Sequence, residues 1–335
     1  MSGNWRPPSS TDVARAAGVS QSAVSRAFTP GARIAEATRA RVMAAAEALG
    51  YRPNLLPKIL QTNRSGIVAV VVGGFYNPYF AMTLEAFSRA LTAAGRQMML
   101  VRVDSDRILD GVVDQLAGYR VDAVVSALAL TSQDAAGQLS KLRIPIVTLN
   151  SDLAGDWIRS VSSDNFAAGV AAARLLRERG GTRFGFVAGP ADSPAQVARE
   201  AGFAHGLAEL GLPPAMRAGG GYDYASGARA ARDLFSSSDR PDALFCANDL
   251  AAFGVIDVLR EDFGLTAPGD VQVVGFDNLD MAVWAPYRLT SFDQDVDAHV
   301  AVAMELLDLE AGATCVARTV PSRLVEREST RKGRR

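Results

Sequence analysis

The sequence predicts an α/β body of two lobes with a small all-α helix-turn-helix head at its N-terminus. Three observations predict it. Residues 11–28 hold two short helical patterns around a single Gly-Val step. Beyond residue 66, short apolar runs alternate with amphipathic stretches, the rhythm of parallel sheets covered on both faces. Charge divides at the same place. Residues 1–65 hold nine cations (Arg6, Arg15, Arg26, Arg33, Arg39, Arg41, Arg52, Lys58, Arg64) against Asp12, Glu36 and Glu47, or +6, so the remaining 270 residues carry −7. A basic head on an acidic body suits a phosphate-contacting module joined to something that does not touch DNA.

In the head, Ser10 is expected to cap a first helix with Val13, Ala14 and Ala17 on one face. Gly18 supplies the left-handed turn and Val19 plugs the corner. Ser20 caps a second helix from Gln21 to Phe28, with Val24, Ala27 and Phe28 turned to the first. The opposite face carries Gln21, Ser22, Ser25 and Arg26, small polar groups that suit a helix end inserted into a DNA groove. An ordinary helical hairpin on a larger domain is the alternative. A third helix from Glu36 to Leu49, with Val42, Ala46 and Leu49 inward and Gly50 as its stop, closes a small core. Arg39 and Arg41 are expected on its solvated face.

In the body, strands are expected at 67–72, 98–103, 121–128, 144–149, 184–187, 243–246 and 271–276, and helices at 79–94, 166–179 and 250–263. Ligands of such folds bind at the carboxyl ends of the strands. The body is large for one core, which gives two lobes that divide near residues 162–165, with Asp164 beginning the second lobe's first helix.

Several classes are disfavoured. No stretch is long and apolar enough to span a membrane, and the opening MSGNWRPPSS lacks the apolar core of a signal peptide, so a cytoplasmic location is expected. Cys246 and Cys315 read as buried, reduced thiols. Gly73-Gly74 is followed by Phe75 rather than a dinucleotide fingerprint, and no phosphate-binding lysine motif is present. With only His205 and His299, there is little material for a metal cluster or a Ser-His-Asp site. No cofactor, no metal and no enzyme activity are expected.

AGVSQSAVSR, then TRARVMAAAEALGYRPN, then NRSGIVAVVV resemble the N-terminus of lactose-repressor-type (LacI/GalR) transcription regulators. The similarity runs in register to GLTAPGDVQVVGFDN and covers nearly the whole chain. It implies a periplasmic-binding-protein-like body with three crossovers, returning near 292–295 and 318–321. The domains would be a head over 8–53, a hinge helix or linker over 54–65, one lobe over 66–163 plus about 293–318, the other over 164–292 plus about 319–329, and a basic tail over 330–335.

Residues matching the recognition helix are Ser20, Gln21, Ser22, Ser25 and Arg26. Gln21 and Ser22 are expected at base edges and Arg26 at guanine or phosphate, with Arg33, Ser9, Ser10 and Thr38 as phosphate candidates. In the linker, Asn54 would cap a short helix, Lys58 would face DNA and Leu60 would wedge between base pairs of the minor groove. Thr29 stands where the family usually has Asn, Ala35 where Ser caps the third helix, and Pro57 where Ala is usual.

Effector contacts are expected at the strand ends. Tyr79, Phe80 and Tyr222 would form flat walls, while Asn150, Ser193, Arg199, Asn248 and Asp277 supply donors and acceptors. Singly, Asp277 can cap a turn, Arg199 can be a surface pair and Tyr222 can be core. Together they fit vicinal hydroxyls of a sugar, with a purine edge as the alternative. The apolar Leu128-Ala129-Leu130 weakens a sugar assignment. The implied partners are pseudo-palindromic operator DNA, a small sugar-like effector and a second copy of the chain. A tail without apolar heptads favours a dimer. A secreted sugar receptor and a two-lobed enzyme are the competing classes, opposed by the DNA head and by the missing catalytic constellation.

Overall fold

The computed structural model describes residues 6–29, 31–53, 64–73, 76–103, 116, 118–127, 140, 143–151, 157–309 and 316–332. The chain forms two compact units, Met1–Arg64 and Ser65–Arg335.

The first unit contains α1 (Ser10–Ala17), α2 (Gln21–Phe28) and α3 (Glu36–Leu49). Its core is Val13, Ala14, Ala17, Val24, Ala27, Val42 and Ala46, with Val19 and Tyr51 packed against it. Gly18 takes the left-handed conformation (φ 64°) that lets α1 stop and the chain turn at once. Three expectations change here. The cap of α1 is Ser9, not Ser10, because Asp12 stands three residues after Ser9 and completes a capping box. The Ser9 amide and hydroxyl donate to Asp12 Oδ2 at 2.9 and 2.6 Å, bonds that hold the Asp12 carboxyl below its ordinary pKa. Leu49 is 41% exposed, and Tyr51, edge-on to Phe28 at 5.7 Å, closes the core instead. Arg39 is not on a solvated face. Its guanidinium donates to the Ala27 and Ala32 carbonyls and ties down the turn after α2. Ala35 makes no side-chain cap for α3.

The second unit is built on two six-stranded sheets. The first runs β11–β5–β4–β3–β1–β2, from β1 (Ile67–Val72), β2 (Gln97–Arg102), β3 (Ala123–Ser126), β4 (Ile146–Leu149), β5 (Ile158–Ser163) and β11 (Ala317–Val320). Its strand pairs are parallel. β1 alternates strictly: Val68, Val70 and Val72 pack under α4 (Pro78–Ala93) and α9 (Val296–Asp308), while Ala69 and Val71 face the other side. The second sheet runs β12–β10–β9–β8–β6–β7, from β6 (Phe184–Ala188), β7 (Met216–Gly219), β8 (Ala243–Cys246), β9 (Gln272–Asp277), β10 (Thr290–Asp293) and β12 (Arg323–Val325). Here β12 is antiparallel to β10, a departure from the all-parallel expectation. The chain enters the strand from the first sheet and so arrives in the reverse sense.

One face of the second sheet is aromatic. Phe186, Phe245, Phe276 and Phe292 pack with Phe203 under α5 (Asn165–Glu178) and α6 (Pro194–Glu209). The other face packs against α7 (Tyr224–Phe235) and α8 (Asp249–Phe263). The chain passes between the sheets after Ser163, after Asp293 and after Val320. The expected tail is partly structural: Thr330 is buried, and Arg331 donates to the Pro268 and Asp270 carbonyls at 3.2 and 3.1 Å.

Each helix pair on the second sheet crosses at glycines. A Cβ added at Gly202 would lie 2.1 Å from the Phe166 carbonyl oxygen, and one at Gly169 would lie 2.3 Å from that of Arg199. Contact of backbone with backbone leaves nothing flexible to move aside. Gly202→Ala should therefore cost about 3 kcal/mol by overpacking, measured by urea unfolding. Gly220→Ala, where a Cβ meets nothing within 4 Å, serves as the near-neutral control.

Candidate functional site

The two units present two different chemistries. In the head, the N-terminus of α2 is exposed and carries Gln21, Ser22, Ser25 and Arg26 on one side. Ser20 caps α2 by accepting from the Ala23 amide at 3.3 Å, and its hydroxyl also meets that of Ser22 at 2.9 Å. Gln21 Nε2 donates to Ser10 Oγ at 2.8 Å. Arg26 Nε donates back to the Ser22 carbonyl at 3.3 Å, which lays its guanidinium along the helix. Arg33 is exposed on the loop beyond α2, and Thr38 is half-buried in the first turn of α3. Ser9, expected at phosphate, has its hydroxyl engaged by Asp12. The linker residues Asn54, Pro57, Lys58 and Leu60 lie outside the described residues, as do Leu128, Ala129, Leu130 and Cys315.

In the body, polar groups gather where the strands of both sheets end. Arg199, 3% exposed, comes from α6. Its Nε donates to Asn165 Oδ1 at 2.8 Å and its Nη1 to the Ala247 carbonyl at 2.5 Å, while its carbon lies 3.5 Å above the Phe276 ring centroid. It is therefore no surface pair. Asp277 ends β9 with φ 123°, followed by Asn278 at φ 54°. Two successive left-handed non-glycine residues mark strain held by their surroundings. Gln294 Nε2 donates to Asp277 Oδ1 at 2.6 Å, and Asn77 Nδ2 reaches Oδ2 at 3.5 Å from the other lobe. Asp277 is thus held by side chains from outside its own turn.

Tyr79, in the first turn of α4, is buried, with Asn150 hydrogen-bonded to its phenol. Burial pushes that phenol up to about 12, and the Asp277 charge adds to the shift. Phe80 stands edge-on to Tyr79 at 5.9 Å and packs against the second lobe's core. Its place is behind Tyr79, as a contact between lobes. Tyr222 lies against Gly189, where a Cβ would come within 2.5 Å of the ring, and its hydroxyl meets Ser193 Oγ at 2.9 Å. Asn248 is occupied: its Oδ1 caps α8 through the Ala251 amide at 3.0 Å and its Nδ2 donates to the Tyr222 carbonyl at 2.9 Å. It orients Tyr222 from behind. A cavity of about 170 Å³ opens at the first crossover, lined by Asn150, Ser163, Asn165, Pro194 and Ala195 among others.

Several members of this cluster were not foreseen from the sequence. Ser163 Oγ donates to Gln294 Oε1 at 2.8 Å and lies 3.3 Å from His299 Nε2, so the first two chain crossings are joined by side chains. Asn77 had a readable signal, an Asn directly before Pro-Tyr-Phe at a helix start. Asn165 and Gln294 carried none beyond adjacency to the crossings. His299, expected to lack a ligand set, is buried, and its Nδ1 lies 3.1 Å from the Asp295 carbonyl. His205 is half-exposed and pairs with Glu209 at 3.3 Å.

Residues 11–54 match the model for bacterial regulatory proteins of the lacI family, and residues 173–330 match a periplasmic binding protein-like domain. The HTH-type transcriptional repressor PurR of Proteus mirabilis is 31% identical, with 96% of each chain covered. The chain belongs to the lacI family of bacterial regulatory proteins. It is a DNA-binding transcriptional regulator with an effector-binding body. Catabolite control protein A of Priestia megaterium is 29% identical, over 96% of this chain and 98% of its own. Among solved structures, a CelR–cellobiose complex is 30% identical with a TM-score of 0.71, covering 96% of this chain and 99% of its own. A lac repressor dimer on operator matches the fold with a TM-score of 0.89 at 24% identity, over 98% and 100%. Among the described residues, no helix is long and apolar enough to cross a membrane.

Two buried carboxyls make the body sensitive to pH. Asp249 is pushed up to about 7, first by burial and then by the Asp277 charge, and Asp277 is pushed up to about 6 by burial against the opposing pull of Arg199. A carboxyl raised in this way holds its proton more tightly folded than unfolded. Its contribution to stability is complete below about pH 4, the unfolded value, and is lost as pH rises toward the folded one. Between about pH 4 and 7, stability of the wild type should fall more steeply than that of Asp249→Asn, read as urea midpoints across that window.

Proposed function

We propose that this regulator is a homodimeric repressor whose two heads read the halves of a pseudo-palindromic operator. Its grip is changed by a small neutral sugar or sugar derivative bound between the lobes. The observation that carries the effector class is the pairing of one buried cation with one buried carboxyl, Arg199 and Asp277, beside the amides of Asn77, Asn150 and Asn165. Such a site is electrically balanced and rich in both donors and acceptors, which suits vicinal hydroxyls. Tyr79 and Tyr222 offer ring faces. The CelR relative holds a disaccharide, which supports the same reading. A purine effector is the second reading, favoured by those two phenols and by the PurR relatives.

Homodimerisation is supported by an apolar patch with Val283 at 61% and Trp284 at 53% exposure, next to Tyr224 and Tyr287, which share Asp257 Oδ2. The linker would order as paired helices only on DNA, since so short a helix is unstable alone, with Leu60 entering the minor groove. Effector would act by favouring one arrangement of the lobes, and hence one spacing of the two linkers.

In the head, Gln21 would touch a base edge and Arg33 a phosphate. Gln21→Ala should cost ~1–3 kcal/mol at the preferred site and relax preference at one position per half-site. Arg33→Ala should weaken all sequences about equally and flatten the salt dependence. Titrations on a randomised operator library separate the two, and an unchanged preference in the Gln21 variant would remove that assignment.

In the body, thermal-shift screening of sugars, sugar acids and nucleosides should identify a stabilising ligand. Arg199→Ala and Asp277→Ala should each lose that stabilisation and the effect of ligand on operator affinity, because each leaves a ligand group unpaired. A ligand that still stabilises both variants fully would place its pocket elsewhere.

A further inference from the structure

A side-chain hydrogen bond joins the two helices of the motif at their first residues. Gln21 is the first residue of α2 and Ser10 the first of α1. Gln21 Nε2 donates to Ser10 Oγ at 2.8 Å across eleven positions of sequence, on the exposed side of the motif. Ser10 is free for this because the capping of α1 falls to Ser9 and Asp12. The neighbouring small residues are engaged elsewhere, Ser22 by Ser20 and Thr29 by the Ser25 carbonyl.

We infer that Ser10 is a positioning residue for base reading: it fixes the Gln21 amide so that the pair recognises one adenine per half-site. A primary amide has two N–H groups and one oxygen. Ser10 takes one N–H. With the N–H directed away from the oxygen given to Ser10, the oxygen and the second N–H stand side by side, and among the described residues Gln21 Oε1 accepts no hydrogen bond. That acceptor–donor edge matches N6–H₂ and N7 of adenine in the major groove. Guanine offers two acceptors there, so the amide oxygen would oppose O6. Held against Ser10, the amide also loses less rotational freedom on binding than a solvated glutamine does. Ser10 thus acts through Gln21, which is a different role from a phosphate contact.

The proposal rests on Gln21 being a base reader. The full-length chain, its Ser10→Ala, Ser10→Thr and Gln21→Ala variants, and the Ser10→Ala/Gln21→Ala double variant are each selected on a randomised operator library. Ser10→Ala should lower adenine discrimination about two- to tenfold, the worth of one exposed hydrogen bond, at the operator position where Gln21→Ala acts. Ser10→Thr, which keeps the hydroxyl, should keep the preference. The double variant should discriminate no worse than Gln21→Ala alone, and the melting temperature of Ser10→Ala should stay at the wild-type value. Three results overturn the proposal: an equal loss on every sequence with a shallower salt slope, which makes Ser10 a phosphate contact; a change at a different operator position; or no change at all. If Gln21→Ala itself leaves the preference intact, the base-reader assignment fails first and this inference with it.

Discussion

The body is organised around a buried guanidinium. Moving a cation out of water carries a penalty of several kcal/mol unless its donors are met, and Arg199 is 3% exposed. Its compensation comes from four directions: the Asn165 amide oxygen, the Ala247 carbonyl, the face of Phe276 and the field of Asp277. All of these lie far from Arg199 in sequence, and only Phe276 and Asp277 adjoin each other. α6 reaches the necessary depth because it meets α5 at Gly169 and Gly202, where the backbones touch. The aromatic face of the second sheet then supplies Phe276 at the right height, backed by Phe292 at 5.9 Å and Phe245 beyond it. A cation held this way is fixed in place before any ligand is present.

Its counterpart, Asp277, lies where the two lobes meet. Asp277 is held in a strained conformation by Gln294, which sits at the second crossing between lobes. Gln294 is in turn held by Ser163, at the first crossing, and Ser163 lies beside His299 of α9. Asn77 reaches the same carboxylate from the first lobe. A ligand bonded to Asp277, as proposed, would compete with or complete this set, and its binding energy would then differ between arrangements of the lobes. That difference is the only means by which any ligand can shift such an equilibrium. A crossover made of plain apolar contacts would give the ligand nothing to exchange.

Much of this was legible in the sequence, and unevenly so. α2 and α3, with β1 and β8, fall where periodicity puts them, because each has an amphipathic face or a continuous apolar run with clear stops. β5 was invisible: IRSVSS has the composition of a loop, and it becomes a strand because Arg159 turns inward to the Leu306 and Leu309 carbonyls. The short β12 was equally hidden, since its three residues are a strand only by pairing with β10. In the polar cluster, Arg199, Asp277, Tyr79 and Tyr222 were singled out from the sequence by chemistry and position, and the structure brings them into one neighbourhood. Asn165, Ser163, Gln294 and His299 were not, because single small polar residues read as surface until a fold brings them together. Asn248, expected as an effector contact, also caps a helix, an ambiguity inherent in Asn at helix starts.

The head works by the opposite economy of bonds. Ser9, Asp12, Ser20 and Arg39 spend their polar groups on the protein itself, fixing the helix starts and the turn after α2. Such commitment stiffens a core of only seven buried small side chains, which hydrophobic burial alone would hold weakly. It also restricts what can touch DNA to the few groups left over, and specificity is a difference that grows as indiscriminate contacts are removed. The charge distribution acts in the same sense. With +6 in the first 65 residues and −7 in the rest, the body is repelled by a polyanion that the head attracts. Affinity for DNA therefore resides in the small unit.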